Sequence, residues 1–392
     1  MLSQSHNPIN AKSGAFPTFR RLLRVTRIEF WRAVWKRARR PLAWVFGVSL
    51  AAHIALNIWA SALLNRETAA IQARSESLSV GVARPSIAAN RNAALLYERA
   101  GVVLKLTPQE NEIENGLSFV SARTPQSAVL RRKLLDRNRE AVALTRRAST
   151  LPDCRFEVRL ENGAPSSSHL FPMHSLALVL SAHAIEKANE RQADAALSDV
   201  VALFRMSEHI AREKNMMAGL IAASLERLSY STLRRVIETT PISPQQARAI
   251  EARLPTTDWK AMPVRCLQGE RALGLAYLVE TQREVASPPA WTPNGYKTAV
   301  PLWRHIVAPP LVAALRAPVS KLENVHFIRY YNGMIKTAQT QSAPPSPDAA
   351  PWYLPWMRDY YPVFDCAQRG FKAMLADRAM AHSTLEVYSH RA

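Results

Sequence analysis

The chain has 392 residues, with 51 Lys and Arg against 31 Asp and Glu, and a formal net charge of +20. Its 48% hydrophobic content excludes a disordered chain, and 12 glycines beside 26 prolines argue against glycine-rich phosphate loops. Residues 1–40 hold ten of the basic residues and one acid, Glu29. The charge is therefore concentrated at the N-terminus, and the remaining surface is only mildly basic.

Residues 16–40 are predicted to form a basic amphipathic helix, because apolar side chains recur at helical spacing with arginines between them. Such a helix suits an anionic membrane surface. Arginine-rich helices also bind nucleic acid, but the apolar stretch that follows favours lipid over nucleic acid as the partner. The cations expected at the membrane surface are Arg20, Arg24, Arg27, Lys36, Arg37, Arg39 and Arg40.

Residues 41–64 form an uncharged stretch of 24 residues that predicts a transmembrane helix. At about 1.5 Å per residue it spans about 36 Å, which exceeds the hydrocarbon thickness of about 30 Å. Trp44 and Trp59 lie near its two ends, where indole rings favour the membrane interface. The alternative is a buried core helix, which the neighbouring basic segment disfavours.

Flanking charge predicts the orientation of this span. Basic residues cluster before it, whereas Arg66 and Arg74 after it are balanced by Glu67 and Glu76. Because positive charge stays in the cytoplasm, we expect a single-pass inner-membrane protein with its bulk in the periplasm. Ala60-Ser61-Ala62 resembles a cleavage site, but the long preceding segment favours an uncleaved signal anchor.

The span carries two faces that could contact a partner helix. Small residues line one face, and polar residues recur every four positions along the other. Small residues let helices approach closely, and polar side chains hydrogen-bond across the contact. The alternative is that the polar residues are tolerated, with the serines bonding back to their own helix. A homo-oligomer through this helix is expected to use Gly47, Ala51, His53 and Asn57.

Beyond the span, we expect a polar tether at 65–89, a helical domain at 90–284 and a Pro/Trp-rich covering segment with C-terminal helices at 285–392. Thr107 and Glu110 form a capping-box signature. Helices joined by short turns pack antiparallel. The fold class is therefore mainly α, an antiparallel bundle or solenoid-like array. The main helices are predicted at 125–148, 173–190, 193–213, 216–239, 244–254 and 258–280.

Two segments differ from this helical pattern. Residues 154–161 alternate apolar and charged side chains, which predicts one short β segment. Residues 285–365 hold 13 of the 26 prolines, and helices are predicted at 302–315, 318–338 and 363–388. Extended proline segments beside aromatic residues form either covering loops or a recognition surface. The recognition candidates are Trp291, Trp352, Tyr353 and Trp356.

Motifs for catalysis, cofactor binding and metal binding are missing from the sequence. There is no G-x-S-x-G, H-E-x-x-H, Walker loop or G-x-G-x-x-G motif, so no cofactor is expected. The cysteines lack C-x-x-C spacing, and the histidines at 169, 174 and 183 lack a carboxylate at ligand spacing, so no metal site is predicted.

Glu270 and Arg271 lie in a largely apolar helix, where charges need partners. We expect a buried ion pair at this position. Glu270 is also the one candidate for a catalytic acid, since a glutamate can protonate the leaving group in glycan cleavage. The serine that follows the glutamate in lytic transglycosylases is missing here, so that family is not supported.

Four stretches carry a family resemblance: AALLYERAGVVL, LALVLSAHAIEKANERQADAALSDVVALFRMSEHIARE, QGERALGLAYL and LADRAMAHSTLEVYSHRA. Together they resemble a loose group of uncharacterised single-span, helix-rich bacterial envelope proteins, common in planctomycetes. The second stretch is also similar to tetratricopeptide-type hairpins, although the Trp and Leu-Gly landmarks and the repeat of about 34 residues are missing. The resemblance covers roughly two-thirds of the chain and implies architecture without an activity.

Two functions follow from these observations. The first is a non-enzymatic interaction or scaffold protein that is anchored in the membrane and presents helices to protein partners in the envelope. The second is a membrane-anchored hydrolase acting on cell-wall glycan. The absence of a catalytic motif favours the first. A cleft at Glu270 with a second carboxylate within about 10 Å would favour the second.

Overall fold

The computed structural model describes residues 16–76, 87–107, 110, 124–157, 160–161, 164–165, 167–286, 309–340 and 356–390. Within these residues the chain is mainly helical, as the sequence predicts. The chain divides into two compact units, Met1–Ala62 and Leu63–Ala392.

The first helix, α1, spans Phe16–Ala73 and runs through Pro41. The sequence predicts a surface helix that ends at residue 40 and a separate span, but the structure joins them in one helix. A proline inside a helix removes one hydrogen bond and bends the helix without necessarily ending it. The stretch Val34–Ala73 is long and apolar enough to cross a membrane, and its most apolar window is not buried inside the protein.

The end of α1 belongs to the second unit. The helix ends in a Schellman turn: Ser75 has a left-handed backbone, with φ of 57°, and Glu76 N–H donates to Ile71 O at 3.3 Å. Ile71 is fully buried in the hydrophobic core. Residues 65–76 are therefore part of the folded unit. The first twelve residues of the tether predicted at 65–89 thus belong to the folded unit. Residues 77–86 lie outside the described residues.

Ten further helices follow among the described residues. They are α2 (Ala93–Val103), α3 (Pro125–Arg137), α4 (Arg139–Ser149), α5 (Leu170–Asn189), α6 (Ala193–Ala211), α7 (Met216–Thr239), α8 (Pro244–Glu251), α9 (Met262–Ala286), α10 (Pro309–Thr340) and α11 (Trp356–Ser389).

Local capping explains where several of these helices begin. Asn92, Thr124 and Asn215 each accept a backbone N–H in the first turn of α2, α3 and α7. Ser243 and Gln246 form a complete capping box at the start of α8. These polar residues satisfy N–H groups that have no partner within the helix, so the sequence predicts the helix starts well.

Helices α3 and α4 replace the single helix expected at 125–148. The buried Asn138 lies between them. Its side-chain amide donates to Leu134 O at 2.8 Å, and its side-chain oxygen accepts Lys105 N–H at 2.7 Å. The side chain therefore competes with the helical backbone for the carbonyl four residues earlier, which breaks the helix.

Helices α5, α6 and α7 form the central part of the core. A tight turn with Arg191 in the left-handed region, at φ of 60°, joins α5 to α6. Asp199 on α6 faces His183 on α5, and Ser207 Oγ on α6 donates to Ala222 O on α7 at 2.8 Å. Each contact joins two residues that lie about equally far before and after the connecting turn. Consecutive helices therefore run antiparallel.

The short β segment predicted at 154–161 is not confirmed over that length. Residues 154–157 have no regular structure, and only Leu160–Glu161 (β1) pairs with Ala164–Pro165 (β2), antiparallel. Phe156 instead stacks on His169, with ring centroids 4.2 Å apart. Residues 158–159 lie outside the described residues, so the described part of this segment is an irregular stretch followed by a two-residue strand.

The C-terminal helices are longer than predicted. Pro318 lies inside α10, whereas the sequence analysis starts a helix there. Buried side chains after Pro318, including Phe327 and Ile328, pack in the core and hold α10 in place. Gly274 lets the Phe327 ring of α10 pack directly on the backbone of α9, since a Cβ on Gly274 would lie 2.2 Å from that ring. Helix α11 begins at Trp356, earlier than the expected residue 363.

Candidate functional site

A buried arginine marks the contact between the end of α1 and the helices α9 and α10. Arg271 on α9 is fully buried, and a buried guanidinium needs a carboxylate and hydrogen-bond acceptors. Glu76, just after α1, pairs with Arg271 Nη2. Asn332 Oδ1 on α10 accepts Arg271 Nη1–H at 2.5 Å. The sequence predicts a buried ion pair at Arg271, and the structure supplies its partner.

Further ion pairs near Arg271 fix the end of α1 within the second unit. The Schellman turn folds Glu76 back, and Arg74 Nε donates to the Glu76 carboxylate at 3.0 Å. About two turns before Arg74, Glu67 accepts Arg329 Nε–H of α10 at 2.7 Å. We call this group the anchor junction, and it consists of Glu67, Ile71, Arg74, Glu76, Arg271, Arg329 and Asn332.

Glu270 has a capping role in the structure. Its Oε1 accepts Met216 N–H at 2.8 Å, in the first turn of α7. Burial raises the pKa of Glu270 above its usual range, although this hydrogen bond opposes the shift. The neighbouring Gly269 permits the contact, because a Cβ there would lie 1.4 Å from Lys214 O. Glu270 therefore joins α9 to the start of α7.

Two of the three histidines that lie close together in the sequence, His169 and His183, pair with separate carboxylates. His183 Nδ1 donates to Asp199 at 2.6 Å, and Arg146 Nε lies 2.9 Å from the other oxygen of this buried carboxylate. His169 Nε2 lies 2.8 Å from a Glu213 oxygen. Across the described ranges, no group of three or more His, Cys, Asp and Glu is arranged to hold a metal ion.

A second buried carboxylate joins α7 to α11. Glu226 is fully buried, and its oxygens accept Trp259 Nε1–H at 3.0 Å, Tyr230 O–H at 3.0 Å and Arg378 Nη2–H at 2.8 Å. Arg378 also donates to Thr257 O at 2.9 Å. Burial raises the pKa of Glu226, and the Arg378 cation and these hydrogen bonds oppose the shift.

His209 links α6 to α2 and to the loop after α4. Leu151 O lies 3.2 Å from Nε2, and Tyr97 Oη lies 3.1 Å from Nδ1. A carbonyl only accepts, so Nε2 carries the proton and Nδ1 accepts from Tyr97. Burial and the nearby Arg212 lower the pKa of His209 to about 4. The imidazole is therefore held neutral inside the core.

The cysteines show no pairing among the described side chains. Cys154 and Cys266 are free thiols, and burial raises the pKa of Cys266 to about 12. A buried, protonated thiol is a poor nucleophile. The side chain of Cys366 lies outside the described residues.

The predicted surface sites are described only in part. Lys36, Arg37, Arg39 and Arg40 are exposed on α1, while the side chains of Arg20, Arg24 and Arg27 lie outside the described residues. In the span, Gly47 and Ala51 are exposed and His53 and Asn57 are half-buried. Ser61 Oγ donates to Asn57 O at 2.7 Å, the back-bonding that the sequence analysis allows for serine.

The recognition candidates fall outside the described side chains. Trp291, Trp352 and Tyr353 lie outside the described residues, and so does the side chain of Trp356 at the start of α11.

Sequence reasoning missed the anchor junction apart from Arg271. The partners of its ion pairs are 195 and 262 residues apart in the chain, so no local spacing reveals them. The available signal was the apolar surroundings of Arg271, which required a partner but did not identify it.

Comparison with known proteins adds no relative: no family model, no curated protein and no solved structure matches the chain.

Proposed function

We propose that the chain is a membrane-anchored scaffold or interaction protein of the bacterial envelope. One observation carries the proposal. The apolar window of α1 is long enough to cross a membrane and is not buried inside the protein. Exposed apolar surface on that scale indicates contact with lipid or another protein. The exposed cations Arg37, Arg39 and Arg40 immediately before the span support a cytoplasmic N-terminus and a periplasmic second unit.

The interaction role is supported by how the ionisable groups of the second unit are used. Asp199, Glu226 and Glu270 each join two or more helices, as described above. Such contacts fix the relative positions of helices, which is a structural use of these carboxylates. We propose that the helices form an antiparallel bundle or solenoid-like array that displays its surface to protein partners, as the resemblance to single-span envelope proteins implies.

The glycan-hydrolase alternative gains no support from the described residues. It requires Glu270 as an acid, but Glu270 Oε1 accepts the Met216 N–H and stabilises the start of α7. We therefore propose the interaction role alone, with the lipid bilayer and envelope proteins as partners.

The topology is tested by reporter fusions to the C-terminus. An alkaline phosphatase fusion should be active and a cytoplasmic fluorescent protein fusion dark. Changing Arg37, Arg39 and Arg40 to Glu should reduce the phosphatase activity, because the charge bias that retains the N-terminus is lost. The same three positions changed to Lys are the matched control and should leave the activity unchanged. An inactive phosphatase fusion together with a bright fluorescent protein fusion would overturn the orientation.

A further inference from the structure

The C-terminal helix α11 exposes an apolar face that points away from the core. Phe371, Met374 and Leu385 form its buried face. On the opposite side, five exposed residues recur at spacings of three and four, the heptad pattern of helix–helix contacts. We call this face the outer seam, and it consists of Ala373, Ala376, Met380, Ser383 and Val387.

The outer seam combines large and small side chains in a regular order. Met380 and Val387 are 61% and 54% exposed, which is a high exposure for large apolar side chains in regular positions. If two copies of the seam packed parallel, Met380 would face Met380 and Ala376 would face Ala376. The distance between the two helices would then have to differ from one pair of facing residues to the next. If the two copies pack antiparallel with residue 378 of one beside residue 378 of the other, Ala376 of each copy faces Met380 of the other. In these two central layers a small residue faces a large one, so the layers interdigitate.

The charges beside the seam fit the same antiparallel register. Lys372 and Glu386 are exposed on one flank of α11 and occupy equivalent heptad positions, two heptads apart. In an antiparallel pair level at residue 378, Lys372 of each copy lies beside Glu386 of the other. The seam therefore carries opposite charges at its two ends, which makes it complementary to a second copy of itself.

One charge near the symmetry axis needs compensation. Asp377, on the opposite flank, would lie near its own equivalent in a second copy. Arg227 Nε of α7 lies 3.6 Å from the Asp377 carboxylate and offsets this charge within each copy. The pairing therefore does not bring two uncompensated carboxylates together.

We propose that the outer seam is a homodimer interface, in which α11 packs antiparallel on α11 of a second copy. Lys372–Glu386 pairs close both ends of this interface. The interface lies in the second unit and is separate from any contact between membrane spans. It does not depend on the proposed topology.

Sedimentation equilibrium of the full-length protein in density-matched detergent tests the proposal. The wild type should be a dimer. Met380→Glu should raise the dissociation constant about tenfold or more, because it buries a carboxylate in the contact. The matched control is Val102→Glu, since Val102 is 85% exposed on α2 and lies outside the seam. It should leave the dissociation constant unchanged.

A charge exchange tests the register and does not depend on the apolar substitution. Lys372→Glu and Glu386→Lys should each raise the dissociation constant about threefold, by introducing like charges at both ends. The double variant should restore wild-type dimerisation, which only the antiparallel register allows. Circular dichroism should show unchanged helix content for all variants. Any of four results would overturn the proposal. The wild type could be monomeric, or Met380→Glu could leave the dimer intact. The dimer could dissociate only with Gly47→Ile in the span, or the double charge variant could fail to restore dimerisation.

Discussion

Replacing His209 with glutamine should remove a large part of the acid sensitivity of the fold. The folded-state pKa is about 4, against an ordinary 6.5. Between these values the unfolded chain binds a proton that the folded chain does not, so acid favours unfolding. The loss of stability begins as the pH falls through 6.5 and is complete below 4. At about 1.36 kcal/mol per pKa unit, it reaches about 3 kcal/mol, of which about 2 kcal/mol falls between pH 7 and pH 5.

Glutamine preserves both hydrogen bonds of the neutral imidazole. Its amide nitrogen donates to Leu151 O, its oxygen accepts from Tyr97 O–H, and it does not titrate. The free energy of unfolding should be measured by denaturant titration of the full-length protein at pH 7 and pH 5. The decrease between these pH values should be about 2 kcal/mol smaller in His209→Gln than in the wild type.

Comparing His209→Gln with the wild type cancels the contributions of the other titrating groups to the pH dependence of the free energy of unfolding. Burial raises the pKa of Glu226 and Glu270, so both stabilise the fold as the pH falls, but they act equally in wild type and variant. His390→Gln is the control, because His390 is exposed near the C-terminus. It should keep the wild-type pH dependence. If His209→Gln and the wild type lose the same stability between pH 7 and pH 5, the buried neutral imidazole is not the source.

Two further predictions concern the helix contacts. Gly269→Ala should destabilise the protein by about 3 kcal/mol or more, because the new Cβ collides with a backbone carbonyl. Gly333→Ala, which meets open space in α10, should stabilise it by up to about 1 kcal/mol, and equal denaturation midpoints would contradict this. Arg271→Met should cost about 3 kcal/mol, because Glu76 keeps only the half-exposed Arg74 as its ion partner, and adding Glu76→Gln should recover part of the loss. A double variant no more stable than Arg271→Met would exclude the ion pair as the cause.

The helices were predictable from the sequence where local rules decide them. The Asn215 cap fixes the start of α7 at Met216, and the Ser243–Gln246 capping box fixes α8, because both satisfy helix-end groups within a few residues. The break at Asn138 was predictable only in part, because its bond to Leu134 O is local but its bonds to Lys105 reach 33 residues back along the chain. Pro318 misled for the opposite reason, because tertiary packing overrides a local helix-breaking preference.

The candidate site was less predictable than the fold. In the sequence, Glu67 and Glu76 only balance Arg66 and Arg74 after the span, because their partners in the fold are distant and no local pattern joins them. Arg271 could be recognised as buried from its apolar neighbours, but a single sequence does not indicate which carboxylate reaches it. Glu270 drew attention as an acid for the same reason, and the structure shows a backbone N–H as its partner.

The anchor junction has a consequence for the order of folding. Glu76 leaves the ribosome 195 residues before Arg271, so the first part of the second unit must wait for a partner made much later. Until α9 and α10 are in place, Glu67 and Glu76 lack the arginines with which they pair on these helices. Pairing across so long a separation closes a large loop, which slows folding. The second unit should therefore complete its structure late, with the end of α1 among the last elements to become protected from hydrogen exchange.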